Sequence, residues 1–481
     1  MDAQRQPSLT LIGGGLAGGL LATYLGRAGF DVNLYERRPD PSAGNFVGGR
    51  SINLAVSTRG IDALDRVGLA DAALAHAIRM PGRMIHDRSG GLHFQPYDKD
   101  PAKCIYSIGR SVLNSVTLEA AQKFPNVRVH FDQRCTDVDL DAPAAKLAHT
   151  VSGAETSVAS DLVIGVDGAF SAVRRSMQRL DRFDYRQDYL RHGYKELSIP
   201  PAVGGGFLME RNALHIWPRK SFMMIALPNP DGSFTCTLFL HFEGSPSFAT
   251  LRNESTVREF FDDQFPDALA MMPTLVEDFA KNPTGSMVTI RCAPWHHRDK
   301  VVLLGDAAHA VVPFYGQGMN AAFEDVVVLD DCIKRLAPNW ESALAEYENL
   351  RRPHTDALAN LAIENFIEMR DKTASRTFRM RKKLERTLHK NLPGLYTPLY
   401  TMVSFSRTPY REAVQRAKRQ DRIVLVTAVF VAIGLLTVTF RLILGDRWVA
   451  CLGMAATIVY IIVQWIVARH GVGRSSREPE G

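Results

Sequence analysis

Leu9-Thr10-Leu11-Ile12-Gly13-Gly14-Gly15-Leu16-Ala17-Gly18 is the stretch that decides the fold. Leu9–Ile12 carries no charge and reads as a short buried strand. A glycine turn follows, and a helix is expected from about Leu16 to Ala28, with a second strand over Phe30–Tyr35. Strand, G-x-G-x-x-G turn and helix together open a βαβ unit. In such a turn Gly13 permits the bend and Gly15 lets the backbone approach a diphosphate. Gly18 lets helix and strand touch, while the helix N-terminus attracts phosphate. Glu36 closes the second strand, where a carboxylate can take ribose hydroxyls; Arg37 and Arg38 follow it. By itself the fingerprint fits NAD, NADP or FAD equally.

Two further strand ends narrow the choice. Asp161–Val166 is apolar after its first residue and runs into Asp167-Gly168, with Ser171, Arg174 and Arg175 beyond. Val301–Leu304 runs into Gly305-Asp306 and then Pro313, Gly316, Gly318 and Asn320. Each leaves a carboxylate at the C-terminal end of a strand, where open parallel sheets bind ligands. A helix starting near Gly318 would turn its free N–H groups, at Gly318, Met319 and Asn320, toward a flavin's pyrimidine edge and stabilise negative charge there. These three strands are expected in one parallel sheet.

Between them, Leu214–Phe242 alternates and turns at Asn229-Pro230-Asp231-Gly232, as antiparallel strands do. The expected architecture is α/β. A Rossmann-like FAD-binding domain (1–180 and 291–335) receives an inserted mixed β-sheet substrate domain (181–290). A helical region (336–420) follows, then two C-terminal transmembrane helices (423–444 and 448–468). The runs Ile423–Phe440 and Trp448–Val467 are uncharged and long enough to cross a bilayer. Arg416, Lys418, Arg419 and Arg422 precede them and Arg469, Arg474 and Arg477 follow, so both flanks are expected on the cytosolic side.

With 481 residues, 46% of them hydrophobic, the chain can build more than one core, and 22% charged residues argue against large-scale disorder. A net charge of +6 is too small to imply a nucleic-acid partner. The six cysteines show neither CxxC nor Cys/His metal spacing, so reduced thiols and no metal are expected. Met1–Ser8 is short and polar, without the pattern of a signal peptide.

Taken in this order, the glycine turn, the Asp-Gly and the Gly-Asp resemble the para-hydroxybenzoate-hydroxylase-type flavin monooxygenases. The resemblance implies that Asp306 binds the FAD ribityl chain and that Asp167 serves FAD and NADPH. It puts Arg110, in Ser107-Ile108-Gly109-Arg110, beside FAD, along with Tyr35, Ala55 and Arg134. No second glycine fingerprint is present, which suits a transiently bound NADPH. Within that group the chain is similar to the kynurenine 3-monooxygenase family over about Leu9 to Arg416. The matching stretches include Gly49–Ala55, Arg83–His86, Arg182–Tyr185, His192–Tyr194, Leu214–Arg219, Gly316–Asn320, Asn365–Arg370 and Tyr400–Val403.

That resemblance implies NADPH- and O2-dependent hydroxylation of L-kynurenine ortho to its ring amine. The amine already activates the ring, so position and dryness matter more than acid–base help. By the same resemblance Arg83 clamps the substrate carboxylate, with Tyr97, Asn365 and Tyr400 as donors. Met223, Ile225 and Leu227 alternate along one strand and would wall the ring with Leu214, Phe239, Pro313 and Phe314. His309 reads as packing beside the flavin rather than as an acid–base group. An alternative is a membrane flavoprotein acting on a quinone precursor, though Arg83 with Asn365 argues against it; another is a flavin-bound scaffold without turnover. The lipid membrane is the remaining partner, with the catalytic part facing the cytosol from a bacterial inner or a mitochondrial outer membrane.

Overall fold

The computed structural model describes residues 7–41, 52–368, 376–444 and Tyr460. The second expected membrane helix, but for Tyr460, its flanking Arg469, Arg474 and Arg477, and Gly49–Ser51, Met369 and Arg370 of the matching stretches lie outside the described residues. One compact unit runs to Val414 and a second starts at Gln415.

The first sheet of the larger unit has six strands. Their order is His296–His297, Val301–Leu303, Leu162–Gly165, Ser8–Ile12, Asp31–Tyr35 and Val127–His130. All neighbours are parallel except the first pair. Leu9, Leu11, Val163, Ile164, Val301 and Val302 are fully buried, which is why these strands are apolar runs rather than alternating ones. Register puts Leu303, Gly165, Ile12 and Tyr35 in one row at the sheet's C-terminal edge. The next few residues of each strand are Gly305-Asp306, Asp167-Gly168, Gly13–Gly15 and Glu36. Parallel pairing in that register gathers four distant motifs along one edge.

The second sheet has seven strands, ordered Thr284–Ala293, Asp184–Ile199, Phe234–His241, Met223–Pro228, Leu214–Pro218, Gly82–His86 and Leu92–Pro96. The only parallel pair is Leu214–Pro218 with Gly82–His86. Two of its strands, over residues 82–96, come from outside the 181–290 stretch read from sequence as the inserted sheet. Period-two alternation divides its residues between two faces. One face carries Leu197, Trp217, Met224, Ala226, Cys236, Leu238 and Leu240 into a core with Phe260, Phe261 and Phe265 of the covering helices. The other face turns Glu196, Thr237 and Ile225 outward in one register row, with Tyr194, Phe239 and Met223 in the next.

Two long helices, Gly318–Leu336 and Trp340–Ile367, follow, and then Arg376–Asn391, Leu399–Ser404 and Tyr410–Leu444. Within the last, Tyr410–Thr439 is long and apolar enough to cross a membrane, and none of its most apolar window is buried.

Candidate active site

A cavity of about 1840 Å³ lies between the C-terminal edge of the first sheet and the open face of the second. Small-ligand sites run to about 1,000 Å³, so the space suits a dinucleotide and a second small molecule together.

The glycine turn forms one end. Gly13 has φ +113°, and a Cβ there would come within 2.6 Å of Val166 O. Only glycine lets this turn pass so close to the Asp167 loop. A Cβ at Gly18 would sit 1.9 Å from Gly13 O, which fixes the helix against the strand. At Gly15 an added Cβ meets nothing within 4 Å, because that position faces the cavity. Helix Leu16–Arg27 has no side-chain cap on its first turn, so its leading N–H groups are open to an anion. Glu36 is buried; its Oε2 accepts from Gly14 N at 2.7 Å and its Oε1 from Arg38 Nε at 2.8 Å. Burial works against its charge, but Arg38 and the Gly14 amide outweigh it and lower its pKa.

Asp167 accepts from Ala172 N at 2.6 Å through Oδ2, while its buried Oδ1 has no hydrogen-bond partner among the described residues. Burial raises its pKa against the pull of Ser171 and the helix amides. An orphaned carboxylate oxygen in a cavity wall is what a hydroxyl-bearing ligand would satisfy. Arg174 braces this loop to the next by donating to Ala307 O at 2.6 Å and Ala169 O at 2.5 Å. Asp306 follows Gly305, whose φ is +63°, and lines the cavity. The surrounding protein raises its pKa, against His309 and Arg110. An uncapped helix N-terminus, open glycine backbone and two carboxylates in one cleft fit FAD's diphosphate and sugar-alcohol chain.

At the other end stands Arg83. Its guanidinium carbon lies 4.8 Å from the Tyr400 ring centre and 5.2 Å from that of Tyr97. The two tyrosines stack at 5.0 Å, and Tyr315 lies 5.6 Å from Tyr400. Burial alone would favour discharge of Arg83, but the oxygens of Tyr400 and Tyr97 prevail and hold its pKa above the ordinary value. Arg83 Nε and Tyr97 Oη are buried without a normal hydrogen-bond partner among the described residues, an arrangement that awaits an acceptor. Phe239 and Phe314 meet at 4.9 Å, and Phe314 stacks on Phe366 at 4.0 Å.

Of the sequence candidates, Gly13, Gly15, Tyr35, Glu36, Arg37, Arg38, Ala55, Arg110, Arg134, Asp167, Asp306, Gly318 and Met319 all line the cavity. So do Arg83, Tyr400, Leu214, Met223, Ile225, Leu227, Phe239, Pro313 and Phe314. Five stand behind the wall. Ala17 and Gly18 lie on the first helix. Tyr97 backs Arg83. Asn320 accepts from Ser57 N at 2.9 Å and donates to Ala55 O and Gly316 O, tying two loops together. Asn365, read as a substrate donor, gives its amide to Phe314 O at 2.7 Å. His309 is buried, with its Nε2 2.5 Å from Asp325 Oδ2. The sequence reading missed Glu196 and Thr237, which line the cavity. Extending the alternation of Phe239 back by two residues would have found Thr237.

The family model for the FAD binding domain matches residues 7–362. A relative from Myxococcus xanthus (strain DK1622), named kynurenine 3-monooxygenase, is 49% identical over 88% of this chain and 91% of its own length. A second, of the same name, from Salinispora arenicola (strain CNS-205), is 45% identical over 92% of this chain and 98% of its own. Among solved structures, the tetrameric form of 2-methyl-3-hydroxypyridine-5-carboxylic acid oxygenase superposes with a TM-score of 0.62 at 22% identity, covering 77% of this chain and 94% of its own. That likeness speaks for the fold alone.

Proposed function

The chain belongs to the kynurenine 3-monooxygenase family, and from that premise we infer that it converts L-kynurenine to 3-hydroxy-L-kynurenine at a bound FAD, using NADPH and O2. The observation that carries the reading is the continuity of one cavity from the glycine turn to Arg83. A quinone precursor is not favoured, because it has no carboxylate to engage that arginine.

FAD, when bound, supplies the redox chemistry, taking hydride from NADPH and passing one oxygen atom of O2 to the ring. The chain's own residues bind and position. Gly13–Gly15 and the helix N-terminus behind them take the diphosphate, Glu36 the ribose, and Asp306 the ribityl chain. Asp167, Arg110, Arg134 and Ala55 line the same path. Arg83 takes the amino-acid carboxylate in a two-pronged pair, and Tyr97 and Tyr400 donate beside it. Asn365 holds Phe314 in place. Leu214, Met223, Ile225, Leu227, Phe239, Pro313 and Phe314 fix the ring and exclude water from the site. The second sheet, centred on residues 181–290, is the substrate platform. The 423–444 part of helix Tyr410–Leu444 crosses a bacterial inner or mitochondrial outer membrane, with Arg416, Lys418, Arg419 and Arg422 on the cytosolic side, where the catalytic unit works.

The test is NADPH oxidation by the purified, detergent-solubilised yellow protein, with and without L-kynurenine, following 3-hydroxykynurenine by mass. Substrate-stimulated oxidation with matching product supports the reading. Oxidation that L-kynurenine does not stimulate refutes it.

A further inference from the structure

Helix Arg376–Asn391 has the sequence RTFRMRKKLERTLHKN, with seven Arg/Lys and one Glu. Its excess of six equals the net charge of the whole chain, so the remaining residues sum to neutrality. Met380, Leu384 and Leu388 recur every fourth residue and trace one stripe along it. Met380 is 71% exposed and Leu384 51%. Just beyond the helix, Leu392 and Leu395 are exposed as well.

His389 falls about 140–180° around the helix from Leu384 and Met380. It is buried, with Nδ1 2.9 Å from Tyr396 O and Nε2 3.4 Å from Asp98 Oδ2. The apolar stripe is therefore on the side away from the catalytic unit. Lys383 and Lys390 occupy positions to one side of the stripe and Arg381 a position to the other. An apolar strip between basic rows is the pattern of a helix lying in a bilayer interface. Soluble surfaces seldom carry such a strip without a partner. A second copy of this helix would be repelled by the same seven positive charges, whereas anionic headgroups complement them. The chain also enters its apolar membrane-length helix at Tyr410, 19 residues after Asn391.

We propose that Arg376–Asn391, with Leu392 and Leu395, is a second membrane contact that lies in the surface of an anionic bilayer, its Met380–Leu384–Leu388 stripe among the acyl chains and Lys383 and Lys390 at lipid phosphates. The proposal rests on the reading of Tyr410–Leu444 as membrane-spanning. Its consequence reaches the active site. Asp98, beside His389, follows Tyr97 in the chain and accepts from Thr401 Oγ1 at 3.1 Å, next to Tyr400. Docking would hold against lipid a helix whose opposite side, at His389, packs on the segment that carries the two tyrosines stacked at Arg83.

The experiment uses the full chain with a photo-crosslinking residue in place of Leu384, reconstituted in phosphatidylcholine vesicles with or without one part in three phosphatidylglycerol. Vesicle flotation is measured alongside, and flavin absorbance reports folding. Lipid adducts are expected in the anionic vesicles. Lys383→Glu with Lys390→Glu should reduce them at least about fivefold, the factor attached to a single basic residue at such a surface. Adducts to a second copy, no adduct on floated protein, or lipid adducts indifferent to both headgroup charge and the two substitutions would overturn the proposal alone. Protein that floats with neither vesicle overturns the membrane-spanning reading and the proposal with it.

Discussion

Replacing Arg83 by methionine keeps the side chain's length and apolar stem but removes the charge. In the free protein Arg83 is half-buried, with its guanidinium against Tyr97 and Tyr400 and its Nε unpartnered. The cost of desolvating that charge is met on folding, before substrate arrives, so the site is organised in advance for a carboxylate. Losing one member of a close, hydrogen-bonded charge pair costs about 2–5 kcal/mol. At about 1.4 kcal/mol per decade, affinity for L-kynurenine should fall about 30-fold to about 4000-fold. Arg83 meets the carboxylate equally before and during oxygen transfer, so the loss should fall on KM, with kcat changed far less. The assay is substrate-stimulated NADPH oxidation, with product followed by mass and Kd taken from flavin absorbance. The decarboxylated analogue of L-kynurenine is the control. Wild type should bind it weakly, and Arg83→Met should bind it about as well as wild type does. If the substitution weakens both ligands alike, Arg83 acts through packing and the clamp is wrong.

Gly15→Val should leave thermal stability nearly unchanged, since Gly15 has φ −75° and open space at its Cβ, yet yield colourless protein because the branched side chain fills the diphosphate path; flavin retained after gel filtration would contradict this. His215 is buried, its Nδ1 2.8 Å from His86 and its Nε2 2.7 Å from Glu210 O, and burial lowers its pKa from 6.5 to about 4. Unfolded, it takes a proton below about pH 6.5 that the folded form refuses, so stability present above that pH is lost as pH falls toward 4, by up to about 3 kcal/mol. Urea midpoints across that range should slope for wild type and flatten for His215→Gln; equal slopes would exclude His215. Tyr410 is fully buried under Arg59, 4.1 Å from its ring, and donates to Gln317 at 3.1 Å beside the flavin-side loop. Truncation after Arg422 should therefore leave an active yellow protein that neutral membranes no longer hold. Tyr410→Ala should cost about 3–5 kcal/mol and loosen FAD. An inactive but folded product of the first cut would show that the apolar helix itself is needed for turnover.

The glycine turn, the two carboxylate-bearing strand ends and the apolar run after Ile423 were legible because each depends on neighbours in sequence. Backbone freedom at glycine, an uncharged strand's burial and a bilayer-length run are local properties. So is the alternation that sets Met223, Ile225 and Leu227 on one face. Register alone, however, brought Asp167 and Asp306, 139 positions apart, to one edge. Tertiary structure also joined the 82–96 hairpin to the second sheet, which is how Arg83 reaches a platform built mostly a hundred residues later. Tyr97 and Tyr400 become one stacked pair only in the fold. Asn365 and the Phe314 carbonyl, 51 positions apart, also meet only in the fold. No periodicity or motif encodes such pairings, since a side chain's partner is set by how whole elements dock. Sequence determined which chemistry the protein carries and where each strand delivers it; the packing of two sheets decided which residues meet across the cavity, because contact between distant segments exists only once their shared core is buried.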